Sequence, residues 1–237
     1  MTRPYFQILS ILILLVSCKQ SNHSPSPIKS NDDSVFVLSK EIDAIKQSYV
    51  LRETDYTLLY DLADRIKPYC DNFQSADKSK LPEIYNFCAE MLRRRCYVEK
   101  GRPYTVKDCK YKDDLIDCCL KAISISKKIA DTLSSNYSSS LFFLADAYEQ
   151  IGKFEEALKL RFELLEINKK MYTEMSEATA FAYYDIGKTY KTSGDIKNAN
   201  DYFKKVLSLQ KVMKSKFLTE FMDSIKAFQK RYKTQLK

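Results

Sequence analysis

The chain has 237 residues, 45% hydrophobic and 30% charged, with a net charge of +8. That excludes wholesale disorder and fits one ordinary domain, with or without a tail. A single histidine, His23, removes histidine-based triads and most catalytic zinc sites.

Residues 8–16 form an apolar run broken only by Ser10, and Arg3 precedes it. The run is too short to span a hydrocarbon core of ~30 Å and fits the core of an export signal. It ends in Leu15-Val16-Ser17-Cys18. This tetrad resembles the bacterial lipobox, whose cysteine is lipidated and becomes the mature N-terminus. The resemblance implies a signal peptide at 1–17 and a diacylglyceryl group plus an acyl chain on Cys18. Two or more chains give stable anchoring where one is marginal. The expected location is the cell envelope, with the outer membrane favoured. The remaining domain would sit in the periplasm or at the cell surface. Residues 19–33 are rich in Ser, Pro and Asn and read as a tether. Its reach is on the order of 20 Å.

Residues 34–67 predict two helices. Val37, Leu38, Ile42 and Ile45 make one apolar stripe; Leu58, Leu59, Leu62, Ala63 and Ile66 make the next. Residues 82–96 predict a third helix, patterned by Tyr85, Cys88, Ala89 and Leu92. A loop is expected over 97–111, and another helix over 115–128.

Besides Cys18 there are Cys70, Cys88, Cys96, Cys109, Cys118 and Cys119. An exported protein meets oxidising conditions, and an even count permits pairing. Six cysteines allow 15 connectivities. Cys96 with Cys109 is the best single pair, because it would close the long loop. Cys88, Cys118 and Cys119 occupy apolar helical positions, where a free cysteine acts as a small hydrophobe. No CxxC spacing supports a metal site.

No proline follows Pro103 and glycine is scarce, so long uninterrupted helices are expected in the C-terminal half. Residues 141–170 align without a gap on residues 183–212, at an offset of 42. Leu141, Leu144, Ala145, Tyr148, Gly152, Phe154, Ala157 and Leu165 fall on Tyr183, Ile186, Gly187, Tyr190, Gly194, Ile196, Ala199 and Leu207. Ala145 and Gly187 are small enough for two helices to approach closely. Gly152 and Gly194 can take the left-handed conformation that ends a helix.

This pattern resembles the tetratricopeptide repeat, in the 42-residue form found in kinesin light chains and many bacterial repeat proteins. The resemblance implies an all-α, right-handed solenoid of about nine helices in antiparallel pairs. Its domain would cover 34–237, with repeats at 137–174 and 179–214 and a capping helix at 217–236. Each pair cannot bury its apolar face alone, so several must stack.

The same resemblance places a peptide groove on the first helix of each pair. Carried over, it is lined by Phe142, Asp146 and Gln150, then Phe181, Tyr184, Lys188 and Lys191. The capping helix adds Lys226, Lys230 and Lys233. Such a groove would become basic toward the C-terminus and suit a peptide with acidic groups. No phosphate loop, nucleophile elbow or facing acid pair is present, so neither catalysis nor a cofactor is expected. Nucleic acid is not an expected partner either.

The whole reads as a membrane-anchored lipoprotein of Bacteroidetes-type bacteria that holds another envelope protein. The alternative is a stand-alone or shortened sensor part of an envelope signalling protein. An outer-membrane assembly lipoprotein fits less well, because repeats of that kind usually end in proline.

Overall fold

The computed structural model describes residues 35–40, 43, 53–100 and 108–236. Cys18 and the leader, the tether, Ile42, Ile45 and residues 101–107 of the expected loop lie outside them. All regular structure among the described residues is helical. A helical stretch at 35–40 precedes eight helices. These are α1 (Glu53–Asp71), α2 (Leu81–Lys100), α3 (Lys112–Lys128), α4 (Ser135–Gln150), α5 (Phe154–Tyr172), α6 (Glu177–Ser193), α7 (Ile196–Met213) and α8 (Lys216–Arg231).

Each helix packs against its neighbours in the chain, and α2 also meets α4 as α6 meets α8. The pairs α2/α3, α4/α5 and α6/α7 are therefore successive hairpins of one solenoid. Serines start the first helix of the later pairs. Ser134, Ser176 and Ser215 accept from the backbone N–H of Tyr137, Thr179 and Leu218, each satisfying one orphan donor. Gly152 (φ 83°) and Gly194 (φ 91°) make the tight turns within pairs.

Two apolar clusters run through the stack. The N-terminal one gathers Leu59, Leu62, Ile66, Tyr85, Cys88, Leu92, Leu115, Cys118, Leu141 and Leu144. The C-terminal one gathers Leu165, Tyr183, Ile186, Phe203, Val206, Ile225 and Phe228. Helix α8 contributes its inward residues to that second cluster, so it packs on the α6/α7 pair and is not a free coil.

Three expectations are corrected. Val37 is exposed, whereas Val35 and Leu38 are buried. Helix α1 continues through Pro68 to Asp71. Proline removes one helical hydrogen bond, but Asp71 is held from outside by Tyr85 Oη at 2.7 Å and Lys121 Nζ at 2.8 Å. Helix α2 continues over 97–100, because the first breaker in the sequence is Gly101.

At Gly187 the space is fully used. A Cβ there would lie 2.7 Å from Phe203 Cε1 and 3.3 Å from the Ala199 carbonyl oxygen. Phe203 is itself buried and cannot swing away. Gly187→Ala should lower stability by about 1–3 kcal/mol. Thermal melts check this; an unchanged midpoint would contradict the packing account.

Candidate functional site

Helices α4 and α6 carry the residues expected to line a groove. Phe142 and Phe181 come together, with ring centroids 6.1 Å apart. Phe143 extends the row on one side at 5.7 Å from Phe142, with the Arg93 guanidinium 5.5 Å over its ring. Phe221 of α8 extends it on the other, 5.8 Å from Phe181. Phe142, Phe143, Phe181 and Phe221 are all half-buried. Side chains in this state cover the core with one face and offer the other.

Tyr184 has a different role. Its ring lies 4.4 Å from Phe221 and 5.7 Å from Phe203. It fastens α6 to the second helix of its own pair and to the cap. Lys226 and Lys230 do not join the aromatic row. At 100° per residue they stand about 140° and 180° around α8 from Phe221. Both are exposed, and Lys226 lies 3.9 Å from Asp223. Lys191 and Lys233 are exposed as well.

Lys188 is drawn inward. Its Nζ lies 3.5 Å from Asp146 and 3.8 Å from Glu149. Beneath it sits Arg161 of α5, which is 1% exposed. Arg161 reaches Glu149 at 2.7 Å, Asp185 at 3.2 Å and Asp146 at 3.7 Å. Thr189 donates to Glu149 at 2.7 Å, and Gln150 donates to Asp146 at 3.1 Å. Three carboxylates thus face two cations at the joint between the α4/α5 and α6/α7 pairs.

The environment shifts these groups. Burial raises the Asp185 pKa to about 6, against the opposing pull of Arg161 and Lys188. Asp146 and Glu149 add to the rise. Burial by itself would lower the Lys188 pKa, but Glu149, Asp146 and Asp185 hold it above its ordinary value.

Glu149, Arg161 and Asp185 were not among the residues expected at the site. One signal in the sequence could have found them. Arg161 lies on the inward stripe of α5, with Ala157, Leu164, Leu165 and Asn168. A charge on such a stripe demands buried partners on the facing helices.

The Cys96–Cys109 pair is joined as a disulfide, with Cα atoms 5.5 Å apart. Cys70, Cys88, Cys118 and Cys119 are free and buried. Burial pushes the thiols of Cys70 and Cys118 up to about 12, and those of Cys88 and Cys119 also upward. They stay protonated and unreactive at neutral pH. No group of residues with metal-binding geometry occurs among the described residues. A cleft of about 370 Å³ opens beside Phe143, bordered by Tyr56, Glu83, Phe87, Glu90 and Arg94. It extends the aromatic row toward the N-terminal helices.

Two outcomes follow from the buried charges. Arg161→Ala removes the ion-pair partner of buried Asp185 and leaves Lys188 alone against Asp146 and Glu149, and should destabilise the fold by about 3–5 kcal/mol. A loss below about 1 kcal/mol in urea unfolding would contradict that. The unfolded Asp185 carboxyl titrates near 3.9, so between about pH 4 and 6 the native state holds the extra proton. Stability therefore falls as pH rises through that window, by on the order of 2–3 kcal/mol. Asp185→Asn should remove this slope. Equal slopes in variant and parent would overturn the assignment.

Comparison with known proteins agrees with this architecture. Residues 182–212 match the tetratricopeptide repeat family. No curated protein sequence matches the chain significantly. Among solved structures, BtubC (BKLC) from P. vanneervenii superposes with a TM-score of 0.58 at 17% identity. The match covers 85% of this chain and 84% of that one. The nearly identical TPR-like repeats of a kinesin light chain from Podosopora anserina, in a single-substitution form, superpose with a TM-score of 0.53 at 14% identity. That match covers 89% of this chain and 100% of the other. The chain carries a tetratricopeptide repeat and folds as a solenoid of such helix pairs, similar to kinesin-light-chain-like arrays.

Proposed function

We propose that this protein is a membrane-anchored bacterial lipoprotein whose repeat array holds another protein of the cell envelope. Tetratricopeptide arrays generally act as protein-interaction scaffolds, and the fold supports that general role. The observation that carries the reading is the half-buried row Phe143, Phe142 and Phe181, on the facing helices of successive pairs. Aromatic side chains supply large contact area at low entropic cost. Asp146 borders the row, and Arg93 and Arg94 stand at its N-terminal end beside Glu90. Because Lys188 is occupied by Asp146 and Glu149, the groove is not a simple receptor for acidic peptides. An extended or helical segment with apolar side chains suits the row better.

The anchor rests on the sequence alone, on Leu15-Val16-Ser17-Cys18 behind an apolar run. No described helix is long and apolar enough to cross a membrane.

A photo-crosslinking residue in place of Phe142 should give one discrete heavy adduct in cells. The same residue at Lys159, exposed on α5, should give none. No adduct at Phe142, or equal adducts at both positions, would refute the groove. Cys18→Ala should move the protein to the soluble fraction after a high-salt wash. Retention in the membrane fraction would refute the lipid anchor.

A further inference from the structure

The junctions that lead from one pair to the next all lie on one edge of the stack. They join α1 to α2, α3 to α4, α5 to α6 and α7 to α8. The last three expose apolar side chains that no packing requires. Ile129 is 37% exposed and Leu133 55%; Tyr172 is 49% exposed and Met175 52%; Val212 is 63% exposed. Leu133 and Met175 are one 42-residue period apart. The turns on the opposite edge, at Gly152 and Gly194, show no large exposed apolar residue among the described residues.

The same junctions are basic. Lys127 and Lys128, Lys169 and Lys170, and Lys211, Lys214 and Lys216 recur beside the apolar residues. The acids beside them are Asp131, Glu163, Glu166, Glu174 and Glu177, with Lys127 4.0 Å from Glu163, so lysines still outnumber acids. Lys169 is engaged by Glu166 and Glu174, at 3.3 and 3.4 Å. Lys128, Lys170, Lys211, Lys214 and Lys216 are exposed.

The backbone marks this edge too. Ala130, Thr173 and Lys214 have φ values of 56°, 90° and 51°. Residues other than glycine rarely adopt such values, and strained backbone persists only where surrounding bonds hold it. Here they do. The Thr173 carbonyl accepts from Ser176 Oγ at 3.1 Å and Thr179 Oγ1 at 2.8 Å. The Asp131 carbonyl accepts from Ser134 Oγ at 3.1 Å. On the opposite edge the turns within α4/α5 and α6/α7 use glycine, at Gly152 and Gly194.

We infer that this edge docks on an anionic lipid surface. Lysine heads pair with headgroup phosphates while their stems and the aliphatic residues enter the interface. Tyrosine favours the same depth. Charge complementarity selects this occupant. The patch is cationic, and its apolar members are mostly aliphatic and repeat along one line. A single-strand nucleic-acid face would instead offer stacking aromatics. The inference stands whether or not Cys18 is lipidated.

The chain contains no tryptophan, so one introduced residue reports alone. The full chain is prepared as Met175→Trp and, for the opposite edge, as Lys153→Trp. Helical circular dichroism matching the parent confirms that each variant folds. Vesicles of phosphatidylcholine with about one third phosphatidylglycerol carry brominated acyl chains as quenchers. Met175→Trp should shift to the blue and be quenched on these vesicles, and not on pure phosphatidylcholine. Lys153→Trp should not respond. Adding Lys170→Gln and Lys211→Gln to Met175→Trp should weaken partitioning by roughly fivefold per lysine. A silent Met175→Trp would overturn the inference. That silence is what attachment through the N-terminal segment alone produces. Equal quenching at both positions would overturn it too.

Discussion

The buried guanidinium of Arg161 is the constraint around which the repeats are set. A charge this deep is tolerated only when its counter-charges arrive with it. They come from two other helices: Asp146 and Glu149 on α4, and Asp185 on α6. The cluster stands where one apolar core gives way to the next. A slip of α6 by one turn along α4 would move Asp185 away from Arg161 and Thr189 away from Glu149. An apolar joint would tolerate such a slip more easily, since greasy contacts are non-directional. The charged joint therefore fixes the register of the two pairs, and with it the approach of Phe142 to Phe181.

That register decides which part of the groove is open. Toward the C-terminus the aromatic residues satisfy one another. Tyr184 and Phe203 pack with Phe221 and Phe228, and Phe228 meets Tyr232. The cap is thus a plug built from the same chemistry as the groove. Toward the N-terminus the row continues past Phe143 into the cleft beside α2, where Arg94 lies 4.7 Å over Tyr56 and 2.7 Å from Glu90. The accessible aromatic surface is centred on α2 and α4, earlier in the chain than repeat alignment alone suggests.

Periodicity made the hairpins legible. The 42-residue offset located α4 through α7, because small residues at Ala145 and Gly187 and turn glycines at Gly152 and Gly194 have few other uses. The site was less legible, for physical reasons. Transfer by offset treats a long polar side chain as a surface group. Lys188 is long enough to lie back over Asp146 and Glu149, and the offset cannot show that. Lys226 and Lys230 share the sequence spacing of groove residues but not the helical phase of Phe221. The extension of α1 past Pro68 depends on Tyr85 and Lys121, which arrive from other helices. Tertiary bonds of that kind override a local breaker without leaving a local trace.

The two edges of the solenoid divide the work of turning the chain. Within pairs, glycine accepts the left-handed geometry at little steric cost. Between pairs, Ala130, Thr173 and Lys214 hold it against their own side chains, with serine and threonine hydroxyls bonded to the carbonyls of Asp131, Thr173 and Ser215. The side chains kept by avoiding glycine there are the ones that make that edge basic and apolar. With this edge on a bilayer, the helix axes run along the membrane normal. Helix α5, with 19 residues, then raises the far turns by about 28 Å. The aromatic row of α4 and α6 lies along the helix sides, so it opens parallel to the membrane and not toward it. A partner would approach laterally, along the surface on which the array stands.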